Sequence, residues 1–292
     1  ETQQRAEIIN YPAFLERHPP EYEAEIVECS SWSCPHGVER WRSDCGCSSP
    51  GDHPDWNQTW RTPLREALDR LRDEVAPKYE QQAGAWLTDP WRARDEYVRV
   101  VLDRSPEMVN RFFAEQASGP IAESDRTTVL KLLELQRHAM LMYTSCGWFF
   151  DDLSRTETVQ ILEYAGRTIQ LAQDLFGDET EERFLQQLEG AESNIPEQGN
   201  GRQIYDRAVR PAKIDLLKVG AHYAISSVFQ EYEEHDSIYC YRVDREEYRR
   251  IQVGRACLAT GTARIASEIT GEWAKLCFAM LHLGDHNVSG GV

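Results

Sequence analysis

The feature that most constrains this sequence is the recurrence of apolar residues at every third and fourth position. Leu64, Leu68, Leu71, Val75 and Tyr79 form one such series. Because an α-helix has about 3.6 residues per turn, this spacing puts all five side chains on one helix face. A second series with the same spacing consists of Val159, Leu162, Ala165, Ile169, Ala172 and Leu175. The pattern therefore predicts helices that pack through one face.

Two further segments, residues 125–150 and 204–229, are apolar around most of their circumference. A helix with so little polar surface belongs inside a protein. We therefore expect these segments to be the central helices of a bundle that spans residues 62–230. Three helix starts are marked by a capping side chain followed by proline: Thr62, Asp89 and Ser105.

After Phe229 the pattern changes to short β-prone runs, at residues 237–243, 248–258, 262–269 and 274–283. The Thr-Gly pairs at 260–261 and 270–271 are typical of turns between strands. Residues 231–292 are therefore predicted to form a small antiparallel β meander. Because nothing after the last run would cover its edge, we expect the natural polypeptide to continue.

Residues 1–61 lack sustained periodicity and are dense in turn-forming residues. This composition predicts an irregular segment around one short strand at residues 25–29. The expected fold class is mainly α: a helical bundle, preceded by an irregular Cys-rich segment and followed by the small antiparallel β meander, α+β overall.

The formal net charge of -17 disfavours nucleic acids and anionic membranes as partners, because like charges repel. The sequence contains no apolar run of about 18 residues, the minimum for a membrane-spanning helix. The polar opening from Glu1 to Arg5 is unlike a signal peptide. We therefore expect a cytoplasmic protein whose cysteines stay reduced.

Four potential metal ligands lie in two close pairs, Cys34 with His36 and Cys45 with Cys47. Thiolate sulfur and imidazole nitrogen are the ligands of tetrahedral structural zinc. One intervening residue is a tighter spacing than the usual two, so chelation requires an unusual turn. The pattern is compatible with structural zinc, with packed thiols that bind no metal, and with a disulfide or redox role.

The same segment suits a sugar site, because Trp32 and Trp41 flank His36 and Arg40. Aromatic rings cover the apolar faces of sugars, and charged groups bind the hydroxyls at their edges. The alternative is a packed turn in which Arg40 pairs with a neighbouring acidic residue.

Glu134, His138, Ser145 and Trp148 fall on one face of the helix predicted at residues 125–150. A polar stripe that ends in a tryptophan is costly to bury unless a polar surface faces it. We therefore expect this face to form the wall of a cleft. The alternative is an internal network in which Glu134 pairs with His138.

Two segments, residues 31–41 (SWSCPHGVERW) and 144–151 (TSCGWFFD), carry a family resemblance. The chain resembles a subgroup of family 57 glycoside hydrolases, a family that includes α-amylases, 4-α-glucanotransferases and glucan-branching enzymes. The likeness extends over nearly the whole chain.

The resemblance implies a β/α barrel upstream, on the same polypeptide, that holds the catalytic glutamate and aspartate. It also implies that this chain is the part after the barrel, which helps to bind an α-glucan or other oligosaccharide but carries no catalytic pair of its own. The alternative is a zinc-stabilised scaffold or protein-interaction module without a carbohydrate role.

The last motif of that family contains a serine, an aspartate, a tryptophan and a phenylalanine. Ser145, Trp148 and Phe150 match it, whereas Gly147 stands where the aspartate would be. The resemblance implies a substrate surface at these residues, with an aspartate of the next turn as the polar contact. The expected substrate-binding residues are Trp148, Phe150, Ser145, Asp151, Asp152, His36, Arg40, Trp41 and His138.

Overall fold

The computed structural model describes residues 7–49, 53–177 and 179–292. Glu1 to Arg5, which the sequence analysis distinguished from a signal peptide, lie outside the described residues. Within the described part of the chain, no helix is long and apolar enough to cross a membrane.

The helices begin and end where local chemistry favours it. Asp89 accepts hydrogen bonds from the backbone N–H groups of Trp91 and Arg92, and Ser105 accepts one from Met108. The predicted caps Asp89 and Ser105 are confirmed, and each precedes a proline at the first helical position. The predicted cap Thr62 is wrong, because it lies inside a helix that begins one residue earlier, at Arg61. The α-helices are α1 Tyr11–Arg17, α2 Arg61–Ala83, α3 Pro90–Glu96, α4 Val98–Leu102, α5 Pro106–Gln116, α6 Glu123–Leu141, α7 Cys146–Phe149, α8 Thr156–Phe176, α9 Thr180–Leu188, α10 Gly201–Ile204, α11 Arg210–Ala212 and α12 Leu216–Ser226. Short 3-10 helices lie at Glu39–Trp41 and Pro196–Gln198, and a π-helix at Tyr205–Val209.

The helical body forms around α2, α6 and α8. The predicted stripe of α2 is buried along its length, from Leu64 to Tyr79, and Ile161, Leu162 and Ile169 of α8 are equally buried. Together with Trp60 and residues of α6, α7 and α9, most of these side chains make one continuous apolar core. A second core, around Phe112, Phe113 and Leu133, packs α5 against α6.

The rest of the fold is a five-stranded antiparallel sheet in the order β1-β2-β3-β4-β5. The strands are β1 His235–Ile238, β2 Tyr241–Val253, β3 Ala256–Ser267, β4 Trp273–His282 and β5 Val288–Gly291. Val243 lies opposite Ile265, which in turn lies opposite Ala274. Helix α12 covers one sheet face through Val219, Tyr223 and Ala224.

The prediction of a mainly α fold is wrong, because the described residues form a mixed α and β structure. Strands β2 and β3 are 13 and 12 residues long, and the predicted turn at residues 260–261 lies inside β3. Gly261 is paired with Tyr248 and Phe278. A Cβ there would lie 2.4 Å from the Glu247 carbonyl oxygen, beside a β-bulge. The glycine marks a close approach of two strands and not a turn.

Neither predicted central helix is a single element. Residues 125–150 form two helices, α6 and α7, separated by a turn at residues 142–145, and residues 204–229 are divided as well. The chain leaves the helical conformation after Ala212 and re-enters it at Leu216, with Asp215 as the N-cap. Helix α12 then packs on the sheet and not in the bundle. The short strand predicted at residues 25–29 is absent, since those described residues are exposed and irregular.

Candidate metal centre

Four ligand atoms converge at the N-terminal segment. The Cys34 Sγ atom lies 3.8 Å from the Cys45 Sγ and 3.7 Å from the Cys47 Sγ. The Nδ1 atom of His36 lies 3.5 Å from the Cys47 Sγ and 4.0 Å from the Cys34 Sγ. All four atoms lie within 4.8 Å of one another, so the group could hold a metal ion.

These separations match a tetrahedron around zinc. With Zn–S bonds of about 2.3 Å and Zn–N bonds of about 2.05 Å, tetrahedral angles give S···S edges of about 3.8 Å and S···N edges of about 3.6 Å. A disulfide requires two sulfurs about 2.05 Å apart. All eight cysteines, which lie within the described ranges, are free thiols.

Two glycines with positive φ lie at the ligand pairs, Gly46 between Cys45 and Cys47 and Gly37 directly after His36. Gly37 and Gly46 have φ values of 77° and 76°, which favour glycine. Gly46 reverses the chain between Cys45 and Cys47, so that both thiols point to one centre. Gly37 lies so close to the Cys29 carbonyl that a Cβ would be 2.4 Å from its oxygen.

The thiols differ in how readily they ionise. Burial disfavours the Cys34 thiolate, but backbone N–H groups of Arg40 and His36 outweigh it and lower the Cys34 pKa to about 7. Burial and the neighbouring sulfurs of Cys34 and Cys45 raise the Cys47 pKa to about 11. Repulsion between the neighbouring sulfurs therefore favours a single thiolate in the group, and a bound cation would allow the other thiols to ionise.

Two buried arginines connect this cluster to the helical body. Arg61 is fully buried and donates to the carbonyl oxygens of Cys47 at 3.1 Å and Phe150 at 3.5 Å. Burial, assisted by the charge of Arg40, lowers the Arg61 pKa. Arg40 donates to the Ser33 carbonyl at 2.9 Å and lies 4.4 Å above the Phe149 ring. Arg40 therefore closes a packed turn, but through a carbonyl and an aromatic ring and not through the expected acidic neighbour, because Glu39 pairs with Arg42.

The buried charges complement a zinc-thiolate centre. Zinc with three thiolates and one neutral imidazole has a net charge of about −1, beside two guanidinium groups. The Nε and Nη2 atoms of Arg40 and the Nε atom of Arg61 have no hydrogen-bond partner among the described residues. Negative sulfurs nearby would offset the cost of burying these cations.

The expectation that Trp148 lines an open cleft is wrong. Its side chain is 1% exposed and stacks on Trp60, with ring centroids 6.4 Å apart. At the neighbouring Gly147 a Cβ would be 2.7 Å from the Ile161 side chain and 3.0 Å from the Glu157 carbonyl. Helix α7 therefore packs so closely on α8 that a side chain at 147 would require a shift of its neighbours.

The aspartates of the next turn hold loops of the protein itself. Asp151 accepts hydrogen bonds from the Ser49 backbone N–H at 2.9 and 3.0 Å. Asp152 is fully buried and accepts from Ser154, Ser193 and Asn194. Asp152 is therefore occupied inside the protein, whereas the partly buried Asp151 holds the Ser49 loop through a single donor.

Glu134 and His138 belong to an internal network, the second structural alternative. Glu134 is buried and accepts from Tyr97 and Arg104, each at 2.8 Å, and from Arg137 at 3.0 Å. His138 lies 3.7 Å from its carboxylate. Burial lowers the His138 pKa to about 4, so the imidazole is neutral at neutral pH.

The remaining predicted residues lie beside the cluster. The Trp41 Nε1 donates to the Ser145 carbonyl at 3.1 Å, which joins the 3-10 helix to α7. Phe150 is partly buried and contacts Phe149, with ring centroids 5.4 Å apart. Trp32 is 90% exposed and lies 5.9 Å from the Phe149 ring. The exposed indole of this region is therefore Trp32.

Sequence reasoning missed a pair of cavities on the helical body. One cavity has a volume of about 330 Å³ and contains Trp91, Gln136 and Tyr143 in its wall. The Arg-Asp pairs of the surrounding helices are a local signal that could have drawn attention to it.

The chain was compared with known proteins. The sequence model of a family described as "Domain of unknown function (DUF3536)" matches residues 56–292, which is more than half of the chain. No curated protein and no solved structure matches. The four-ligand cluster, at residues 34–47, precedes the matched range.

Proposed function

From the premise that the chain belongs to the DUF3536 family, we propose that it is the zinc-braced accessory part of a family-57-like glycoside hydrolase or glucanotransferase. The observation that carries the proposal is the convergence of Cys34, His36, Cys45 and Cys47 within 4.8 Å. In this role the chain holds a structural ion and presents a binding surface, while an upstream barrel performs the chemistry.

Zinc is the metal that best suits this ligand set. Soft thiolate and imidazole ligands select zinc over calcium or magnesium, which take oxygen ligands. Four protein ligands complete a tetrahedron and leave no open position for a reacting water, as in structural sites. The ion would tie an irregular segment to the helical body, and a reducing cytoplasm would keep the thiols available.

The carbohydrate role is supported by the family 57 resemblance and by the exposed indole of Trp32, 5.9 Å from Phe149. An exposed aromatic ring is a typical platform for an α-glucan. Retaining glycoside hydrolysis needs two carboxyl groups about 5 to 5.5 Å apart, which the resemblance assigns to the barrel. The chain by itself would then bind glucan without cleaving it.

Metal analysis tests the zinc centre. Elemental analysis of the purified chain should give about one zinc per chain, and Cys45→Ser should lose it, because one of four ligands is removed. Cys277→Ser, at an exposed thiol of the sheet, is the matched control and should retain the metal. A chain that purifies without zinc and whose thermal melting ignores chelator would exclude this centre.

An activity assay tests whether catalysis requires the upstream barrel. Amylose and maltooligosaccharides are offered to this chain alone and to the polypeptide that includes the barrel. Activity should require the barrel, and Trp32→Ala should weaken glucan binding more than Trp273→Ala, at the exposed tryptophan of the sheet. Turnover by the isolated chain would refute the proposal.

A specific observation favours a second candidate, a zinc-stabilised protein-interaction module. The N-terminal segment exposes several large apolar side chains, among them Ile8, Tyr11, Tyr22, Ile26 and Val27. Exposed apolar surface of this extent is typical of protein contacts. Zinc binding without any glucan binding, in the chain alone or with the barrel, would favour this candidate.

A further inference from the structure

Two neighbouring cavities form a groove on the helical body, on the side of α3 and the C-terminal half of α6. Their volumes are about 330 and 350 Å³, and they share Arg94 and Met140. Ligand sites in proteins are usually clefts of about 300 to 1,000 Å³. The groove is therefore large enough for a ligand of several rings.

Two aromatic rings in contact with arginine side chains form part of its wall. The Arg94 guanidinium lies 5.1 Å from the Trp91 ring centroid. Those of Arg65 and Arg72 lie 4.8 and 5.6 Å from the Tyr143 ring. Planar apolar faces bordered by hydrogen-bonding groups are what a sugar ring requires.

The charges of the groove are compensated within the protein. Each arginine of its wall pairs with an acidic side chain: Arg65 with Asp69 at 3.0 Å, Arg72 with Asp73 at 2.8 Å, Arg94 with Asp95 at 2.7 Å and Arg137 with Glu134 at 3.0 Å. No net positive charge is left to select an anion. This arrangement favours a neutral, polyhydroxylated ligand.

A buried amide in the wall lacks a partner. Gln136 is 4% exposed, and its Nε2 atom has no hydrogen-bond partner among the described residues. An unpaired buried donor costs about 1 to 3 kcal/mol. Because Gln136 lies in the cavity wall, a rotation of its amide toward the cavity would let a ligand hydroxyl oxygen accept from Nε2, which would remove the cost.

The groove adjoins the candidate metal centre. Arg65 donates to the Trp41 carbonyl at 3.1 Å, and Trp41 ends the 3-10 helix between the two ligand pairs. A ligand in the groove would thus lie next to the segment that the metal fixes.

From these observations we infer that the groove is a binding site for a neutral oligosaccharide. Sugar rings lie against Trp91 and Tyr143, and a hydroxyl accepts from Gln136. The choice of an α-glucan as the probe rests on the proposed function, whereas the site itself rests on the groove.

The test is calorimetric titration of the full chain with maltoheptaose. Gln136→Leu keeps the volume, removes the amide and should weaken binding about ten-fold, since the site loses a buried hydrogen bond to its ligand. Gln160→Leu, on the exposed surface of α8, is the matched control and should bind as the parent does. Thermal melting of each variant verifies that it is folded.

Trp32→Ala separates this inference from the proposed function. Loss of binding in Gln136→Leu with Trp32→Ala unaffected supports the groove and argues against the Trp32 platform. If Trp32→Ala alone loses maltoheptaose binding, the inference that the groove binds the sugar is overturned, while the proposed function is still supported. Displacement of maltoheptaose by inorganic phosphate would also overturn the inference, because it would show an anion site.

Discussion

At the scale of single residues, position 147 shows how one close contact decides what a neighbouring side chain can do. The Thr158 hydroxyl donates to the Gly147 carbonyl at 2.7 Å, and Ile161 occupies the space where a side chain would be. Helix α7 thus packs directly on α8, and the next residue, Trp148, is buried in the same core. The sequence spacing correctly brought Cys34, His36, Cys45 and Cys47 together, but the burial of Trp148 depends on a tertiary contact that spacing cannot reveal.

Gly147→Asp should destabilise the protein strongly. The new carboxylate would meet Ile161 and be buried without a partner, at a cost of about 3 kcal/mol or more. Urea denaturation measures this loss. Gly119→Asp, where a Cβ meets nothing within 4 Å, should change stability little. Equal stability of the two variants would contradict the packing at α7.

Stability should fall in acid because His138 stays neutral in the fold. Burial lowers its pKa from 6.5 to about 4. The negative charge of Glu134 opposes this shift, whereas the positive charges of Arg137, Arg167 and Arg104 add to it. Between these two pH values the unfolded chain takes up a proton that the folded chain does not, so the free energy of unfolding should fall by up to about 3 kcal/mol.

Glu134 acts in the same direction at lower pH. Burial opposes its ionisation, but hydrogen bonds from Arg104 and Tyr97 outweigh burial and lower its pKa. Its stabilising contribution is therefore present above its ordinary pKa and is lost as the pH falls below that value.

Urea denaturation across pH 4 to about 6.5 tests the role of His138. The free energy of unfolding should change less steeply with pH in His138→Gln than in the parent. An unchanged slope would be inconsistent with a buried neutral imidazole, and His286→Gln, at an exposed histidine, is the control.

At the scale of elements, caps and periodicity predicted where α2, α3, α5 and α8 lie, because those signals are local. They failed at Gly261, where the reason for glycine is the approach of another strand. They also failed for α12, which packs on the sheet through Val219, Tyr223 and Ala224 and exposes Leu217 and Ile225. An apolar composition therefore does not reveal which element covers a helix, or how much of the helix is covered.

Gly261→Ala should loosen the pairing of β2 with β3. A Cβ would lie 2.4 Å from the Glu247 carbonyl oxygen and 3.0 Å from the Phe278 ring, and the backbone oxygen cannot yield without breaking the ladder. We expect a loss of about 2 kcal/mol, in the range of other overpacking changes. Gly291→Ala in β5, where a Cβ meets nothing within 4 Å, is the control for chemical denaturation. If Gly261→Ala left the free energy of unfolding unchanged, β2 and β3 would not approach each other at the bulge as closely as described.

At the scale of the whole molecule, the protein combines three apolar cores with one candidate ion. The first two cores share Leu175 and Phe176 and so make a continuous helical body, whereas the third belongs to the sheet and α12. The cluster at residues 34–47 touches the body through Arg61, whose partners are Cys47 and Phe150. An ion bound there would therefore stabilise one side of the body and have little direct effect on the sheet.

Hydrogen exchange with and without chelator should reveal this asymmetry. Removal of zinc should increase exchange in residues 30–49 and in α7, because Trp41 and Asp151 connect the cluster to that helix and to the turn after it. Strands β2, β3 and β4 should exchange as before, since their hydrogen bonds lie in a separate core. The same pattern in Cys45→Ser without chelator would tie the effect to the metal ligands. Uniform loss of protection across body and sheet would mean instead that the two parts unfold as one cooperative unit, and that the ion stabilises the molecule as a whole.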